Sequence, residues 1–494
     1  MKSEDQIEER SVILLIFKTS RTVEALTYKQ KVLLMIGIFL CMELGMMVSS
    51  EFSVALPKII ADIGGAEFYA LVFTVNIAAS AIVTPIVGKL SDMYGRRQLL
   101  IIGILIILIS EVLTPLLVSN IYHLMIFRAI QGIGGATTIV IGLIIISDIF
   151  DIENRAKFLG FYGSLNALTA IIAPTVGGLF VQYMSWHWVF YSIVPVGLIG
   201  LFVIFKYMPE IPRTKNSKFD YMGVSILSIA ILIIVGITTV GGSLVPWTSG
   251  TMLALFAALI AIVTFFIFSQ KKSDNPIVPL HLFKYRVFII CLFASFACMF
   301  AATGLIYFMP LFMQNIHGFT PTETGLFMTV RGVTSFIFAA AGGIIVAKLK
   351  DFRLVAIAAM VIFGSMIFAL TFFTTSATSL AITVICLIWG TSSGVLISIF
   401  HTGIQMNLPN RDISVAMSVM QLFVSIGALL ATSVLGLFLR NANLSLGFAS
   451  LLFTCLGVVV LTLLIFVVVL QRRNLRQEEE VPAPQNLNKE VSIN

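Results

Sequence analysis

Fourteen long apolar stretches, separated by segments rich in charged and turn-forming residues, constrain the fold of this chain more than any other feature. An α-helix needs about 20 apolar residues to cross the hydrocarbon core of a bilayer. Nearly every stretch reaches that length, so we predict fourteen membrane-spanning helices. Their predicted limits are 32–56, 68–88, 98–118, 121–147, 157–183, 188–206, 221–241, 251–269, 287–312, 322–346, 353–373, 378–400, 413–436 and 446–470.

Composition supports a chain that lies within a membrane. Of the 494 residues, 58% are hydrophobic and 11% are charged. Soluble globular proteins carry about 25% charged residues, so most of this surface must face lipid or other apolar helices. A strand assignment fails because the apolar runs are too long and lack the alternation of a strand. We therefore predict an all-α polytopic membrane protein.

The positions of lysine and arginine predict the orientation of the helices. With the N-terminus inside, the inner segments hold 27 of the 31 basic residues, and the outer connections hold only Lys58 and Arg440. Cytoplasmic segments of membrane proteins are enriched in these residues. Both termini are thus predicted to be cytoplasmic. The net charge of +7 then reflects topology and anionic lipid, and no nucleic acid partner is needed to explain it.

The spans are organised as six, an inserted pair, and six more. A weak sequence similarity between residues 88–92 and 347–351, after the second and tenth spans, indicates two related halves. Repeats with a substrate site at their interface are common among secondary carriers. The predicted parts are a cytoplasmic tail with an interfacial helix (1–30), a six-helix bundle (31–206), the inserted pair and its linker (207–286), a second six-helix bundle (287–470) and a cytoplasmic tail (471–494).

The sharpest motif lies on the cytoplasmic turn between the second and third spans. Its glycines permit a tight turn and close approach of helices. Its aspartate and arginines can pair with helix ends or with opposite charges nearby, such as those that bracket the inner end of the fourth span. We predict an inner-gate charge network built from Gly88, Asp92, Gly95, Arg96, Arg97, Asp148 and Arg155.

This turn resembles the hallmark loop of the major facilitator superfamily, G-x-L-x-D-x-x-G-R-R. Residues 128–136 resemble the R-x-x-Q-G-x-G-x-A motif of the family's fourth span. Residues 186–195 and 310–325 resemble signatures of its fourteen-span drug:proton antiporter subfamily. The fifth span resembles the glycine–proline motif of the antiporter branch, through Ala173, Pro174, Gly177 and Gly178. The resemblance implies a proton-coupled secondary carrier.

The sequence departs from the family at the position expected to couple proton flow. The family commonly places an aspartate in the first span, and Val48 stands at the matching position. Glu51 lies one helical turn away on a neighbouring face and is the candidate replacement. Glu43, in the same span, and Glu111, in the third, are further candidates, because acids within membrane spans usually face a cavity and serve function.

Two arginines fall inside spans. A buried guanidinium needs an acceptor. We expect Arg128 to favour the ionised form of Glu51 or Glu111 in one conformation; the resemblance implies a role for this arginine in proton transfer. Arg331, in the tenth span, has no counterpart in the resemblance. It either binds an anionic group of the substrate or extends outward to the membrane surface.

Other classes of site are disfavoured. The five cysteines all lie in apolar stretches without a CxxC pair, which predicts neither disulfides nor a metal site. No phosphate-binding loop is present, so the chain alone is not expected to be an ATP-driven pump. A membrane-embedded enzyme or sensor would need a nucleophile with its base, a metal cluster or a sizeable soluble domain. We therefore predict neither catalysis nor a cofactor.

The sequence thus predicts a proton-coupled exporter of amphiphilic, cationic compounds. We expect it to act as a monomer in the cytoplasmic membrane, exchanging protons for a small substrate. One alternative stays open, a symporter or exporter of a specific organic-anion metabolite on the same fold, with Arg331 binding the anion. Fold alone does not decide between these cargoes.

Overall fold

The computed structural model describes residues 27–150, 152–209, 220–242, 245–273, 276–349, 352–374, 377–440 and 443–471. Fourteen helices in this part are long and apolar enough to cross a membrane, as predicted. Most of the predicted N-terminal interfacial helix lies outside the described residues. The helices are α1 Tyr28–Ile63, α2 Tyr69–Tyr94, α3 Arg96–Leu117, α4 Ile121–Ile149, α5 Ile152–Tyr183, α6 His187–Tyr207, α7 Tyr221–Val240, α8 Gly250–Lys272, α9 Arg286–Asn315, α10 Pro321–Leu349, α11 Phe352–Thr371, α12 Ser379–Asn407, α13 Asn410–Leu430 and α14 Leu444–Gln471.

Polar residues begin several of these helices. Thr27 and Gln30 form a capping box at the start of α1, and the Asn120 side chain accepts from the His123 amide at the start of α4. Such caps satisfy amides that have no partner within the helix. The turn between α2 and α3 consists of Gly95 alone, with a φ of 99°, a conformation that side chains rarely adopt.

Helices α1–α6 and α9–α14 each pack largely among themselves. In the first group, α1 contacts α4, α5 and α6, while α4 also contacts α2 and α3. In the second, α9 contacts α12, α13 and α14, and α10 packs along α12. We refer to these groups as the first half and the second half. The largest contact between them joins α5 to α10.

Helices α7 and α8 pack against each other at the side of the molecule. Helix α7 contacts α2 of the first half and the π-helical turn Ala431–Leu435 that follows α13. At its C-terminal end, the Arg440 guanidinium donates to the carbonyls of Thr238, Thr239 and Gly241. Burial lowers the pKa of Arg440. The inserted pair is therefore attached to both halves.

The two halves meet at one end of the molecule. The Gln314 side chain, near the end of α9, donates to the carbonyl of Val54 near the end of α1, and Tyr69 at the start of α2 donates to the carbonyl of Tyr307. Thr322 at the start of α10 donates from its amide to the side chain of Gln182 on α5. These ends are the ones that the basic-residue distribution assigns to the outside, so the structure is closed on the predicted outer face.

Candidate functional site

Three ionisable side chains of the first half lie together inside the helix bundle. Glu51 comes from α1, Glu111 from α3 and Arg128 from α4, and each side chain is at most 1% exposed. The charge of Glu111 interacts with those of both Arg128 and Glu51. We name these residues the coupling cluster. The structure thus brings together three of the four predicted proton-coupling residues.

Arg128 is held by groups that carry no charge. One of its terminal nitrogens donates to the Gln131 side chain at 2.9 Å, and its guanidinium carbon lies 4.3 Å from the centre of the Phe52 ring. Gln131 in turn donates to Thr114 on α3. The Arg128 Nε has no hydrogen-bond partner among the described residues. Arg128 therefore keeps donor capacity that a carboxylate or a water molecule could use.

The two carboxyl groups have different surroundings. The Ser192 hydroxyl on α6 donates to Glu51 at 3.3 Å, whereas both oxygens of Glu111 are buried without a hydrogen-bond partner among the described residues. A glycine lets α5 pass close behind Glu51, because a Cβ at Gly177 would lie 2.8 Å from its backbone. An ionised carboxylate is costly in such surroundings, whereas a protonated carboxyl is tolerated.

The second half contributes an aromatic residue to this region. The Tyr307 ring of α9 stacks on Phe73 of α2 at 4.2 Å between ring centres, and Tyr307 also interacts electrostatically with Arg128. The coupling cluster is thus linked to the contact between the halves. Sequence reasoning missed Tyr307 and Ser192, since nothing distinguishes either from the other polar and aromatic residues of their spans.

Glu43 occupies a separate place on α1. It is 2% exposed, and neither carboxyl oxygen has a hydrogen-bond partner within the described part of the chain. Asn166 and Thr169 of α5 face it, and the neutral phenol of Tyr162 lies within electrostatic range of its carboxyl group. The Phe39 ring, one turn away, lies 5.9 Å from that of Tyr162. A buried acid beside aromatic rings suits a cationic group of a ligand.

The predicted inner-gate network is present in part. Arg96 at the start of α3 forms an ion pair with Asp148 at the end of α4, and Arg97 donates to the carbonyl of Phe205 on α6. These contacts lie within the first half. Gly88 lies in the last turns of α2, and the side chains of Asp92 and Arg155 lie outside the described part.

The predicted antiporter-type motif lies where α5 crosses α10. A Cβ at Gly178 would collide with the Pro321 carbonyl, and one at Gly325 would collide with that of Pro174. The hydroxyls of Thr175 and Thr329 are hydrogen-bonded at 2.7 Å across the same crossing. Ala173 and Gly177 are buried on the same helix. The motif therefore allows close contact between the two halves on the predicted outer side.

The remaining predicted groups lie elsewhere. Arg331 is on α10, where its guanidinium lies over the indole ring of Trp389 on α12. The five cysteines are buried and free. Among the described residues no group of histidine, cysteine and acidic side chains could hold a metal ion.

A family model described as the Major Facilitator Superfamily matches residues 34–432. The chain belongs to the Major Facilitator Superfamily. The predicted family is thereby confirmed, and so is the predicted all-α fold with fourteen spans. As a member of this superfamily, the chain is a membrane transporter. The cytoplasmic placement of its termini stays a prediction.

Relatives of this superfamily member include two proteins of Bacillus subtilis (strain 168). One, named Multidrug transporter protein MdtP, is 31% identical over 418 residues, which cover 84% of this chain and 77% of the relative. The other, named Multidrug resistance protein 3, is 30% identical over 403 residues, with coverage of 81% and 78%.

Solved structures share the fold of this superfamily member. A D-xylose–proton symporter superposes with a TM-score of 0.63 at 15% identity, covering 88% of this chain and 96% of the symporter. A bacterial homologue of the human lysosomal transporter Spinster, inward-facing and occupied, gives a TM-score of 0.63 at 15% identity, with coverage of 90% and 97%. At this identity the likeness concerns the fold alone.

Proposed function

We propose that this transporter exports amphiphilic, cationic compounds across the cell membrane in exchange for protons, by alternating access. The observation that carries the proposal is the coupling cluster of Glu51, Glu111 and Arg128. The names of the two bacterial relatives, a multidrug transporter and a multidrug resistance protein, support efflux as the direction and amphiphilic compounds as the cargo.

The charge of the cluster supports proton binding. Two carboxyl groups and one guanidinium sum to neutral when one carboxyl holds a proton, and to a net negative charge when both are ionised. Burying a net charge is costly, so loss of the proton requires water or a cation nearby. Because Tyr307 of the second half lies within electrostatic range of Arg128, separation of the halves changes the surroundings of the cluster. Proton release is thereby linked to the change of conformation.

A cationic substrate bound beside Glu43 would favour release of the proton from the coupling cluster, which makes the exchange of substrate for proton possible. Glu43 and Glu51 are eight residues apart on α1, which is about 12 Å along the helix axis. A positive charge at that distance, in surroundings of low dielectric constant, favours the ionised form of the cluster. Substrate and proton then compete through electrostatics while occupying different side chains. This competition is the physical requirement for antiport.

Purified protein in liposomes that contain a pH-sensitive dye tests the proposal. After a pH gradient is imposed, lipophilic cations and organic anions are added in turn. We expect cations to drive proton movement in the wild type, and Glu51→Gln to abolish it, because an amide carries no exchangeable charge. Glu323→Gln is the matched control, since Glu323 lies exposed at the start of α10, where its carboxylate accepts from the Thr320 amide.

One outcome would contradict the proposal, and a second would deprive the Glu51→Gln result of its meaning. If only organic anions move protons and Glu51→Gln has no effect, the carrier transports an anionic metabolite through other residues. If Glu323→Gln lowers proton movement as much as Glu51→Gln does, the loss reflects general damage to the protein. Arg128→Ala, assayed in parallel, should resemble Glu51→Gln, because the cluster then has no positive charge to balance its acids.

A further inference from the structure

Arg331 is an isolated cation within the second half. Its guanidinium carbon lies 5.0 Å from the centre of the Trp389 indole, on the neighbouring helix α12. Gly390 permits this arrangement, because a Cβ there would collide with the Arg331 carbonyl and the Thr334 hydroxyl. At the next residue, Gly332, a Cβ would lie 3.0 Å from the Ala170 carbonyl oxygen of α5. Arg331 therefore lies at the level where the two halves meet.

The Arg331 guanidinium has no counter-charge among the residues that the structure describes. The structure gives it neither a hydrogen bond nor an ion pair with any described residue, and its Nε is buried without a partner. The titratable group within electrostatic range of the guanidinium is the thiol of Cys386. A thiol with an ordinary pKa of about 8.5 is largely neutral at pH 7.

The acids of the second half lie at the ends of its helices and not within a span, so none lies at the level of Arg331. Residues 286–471 contain only Glu323, Asp351 and Asp412, all at helix ends or in connections. The Glu323 carboxylate accepts from Thr320, and that of Asp412 accepts from the Tyr285 hydroxyl. Arg128 of the first half, by contrast, has the carboxyl group of Glu111 within electrostatic range.

Trp389 provides a second donor at the same place. The residue is 1% exposed, yet its indole N–H has no hydrogen-bond partner among the described residues. Buried polar groups in proteins are nearly always hydrogen-bonded, so such a group calls for an explanation. In the described part of the chain, the Arg331 Nε and the Trp389 indole N–H, on two side chains that lie together, both lack an acceptor. A carboxylate could accept from both, since a guanidinium binds carboxylates through two parallel hydrogen bonds.

We propose that Arg331 and Trp389 form a recognition site for the carboxylate of a zwitterionic amphiphilic substrate. The inference rests on the proposed function, which it deepens by naming the substrate class. The cationic part of such a substrate binds beside the acids of the first half, and its carboxylate binds to Arg331 of the second. A substrate that contacts both halves is suited to control how they move relative to each other.

Two ligands that differ in one group test the inference. A rhodamine with a free carboxyl group is zwitterionic at neutral pH, and the methyl ester of the same dye is a cation. Their Kd values for the purified protein in detergent are measured by fluorescence anisotropy. We expect the zwitterion to bind at least about tenfold more tightly than the ester, which corresponds to one charge-assisted contact.

Arg331→Gln should abolish this preference and leave the Kd of the ester unchanged, while Arg331→Lys should restore it in part. Arg286→Gln is the matched control, since Arg286 is exposed at the start of α9. Equal Kd values for the two dyes in the wild type would overturn the inference, even if the Arg331 variants failed to fold. A preference that persists in Arg331→Gln would also overturn it. Failure of the proposed function is distinguishable, because protons would then not move in liposomes whatever the two Kd values.

Discussion

At the scale of single residues, buried charge is the property that connects this sequence to the function we propose. Glu43, Glu51, Glu111 and Arg128 could be identified from the sequence, because ionisable residues are rare within membrane spans. The residues that contact them could not be identified from the sequence. Ser192 beside Glu51 and Asn166 beside Glu43 are polar residues of other helices, and only the packing of α5 and α6 against α1 brings them there.

Glu43→Gln should separate substrate binding from proton binding. Glutamine has nearly the same shape, and the Glu43 oxygens have no hydrogen-bond partner among the described residues, so the protein should fold normally. We expect the Kd for a lipophilic cation to rise about tenfold, the effect of losing one charge-assisted contact, with little change for a neutral analogue. Fluorescence anisotropy with the two ligands checks this. Equal weakening for both would show that Glu43 acts through packing rather than charge.

At the scale of helices, the motifs predicted which residues matter but not which helices they join. The glycines of the fifth span were predicted from a resemblance, and their partner α10 became evident only from the structure. Gly178 and Gly325 each face the backbone of the other helix. The loop motif likewise predicted a charge network, of which the structure describes the ion pair between Arg96 and Asp148.

Gly178→Leu should prevent α5 and α10 from closing on the predicted outer side. A side chain there must displace the α10 backbone, and overpacking of this kind typically costs about 1–3 kcal/mol. Gly163→Leu, on the same helix, is the matched control, because a Cβ at Gly163 would meet nothing within 4 Å. Cysteines placed at Gln182 and Thr322, whose contact bridges the halves, report closure through cross-linking. We expect cross-linking to fall in Gly178→Leu and to persist in Gly163→Leu; equal cross-linking would contradict the account.

At the scale of the whole molecule, the two six-helix halves carry different chemistry. The first half holds three buried acids and Arg128, whereas the second holds Arg331 and no acid deep within its described spans. The count of fourteen spans was predictable because spanning length and charge distribution leave strong patterns. The side on which the halves close was not predictable, because contact between α5 and α10 depends on three-dimensional packing and not on hydropathy.

If cation binding expels a proton from the coupling cluster, the proton can be measured without transport. A lipophilic cation is added to concentrated protein in lightly buffered detergent solution, and the released protons are followed with a pH electrode. We expect acidification in proportion to the cation bound in the wild type, and binding without acidification in Glu51→Gln. Cation binding to the wild-type protein with no proton release would show that cation and proton do not exchange.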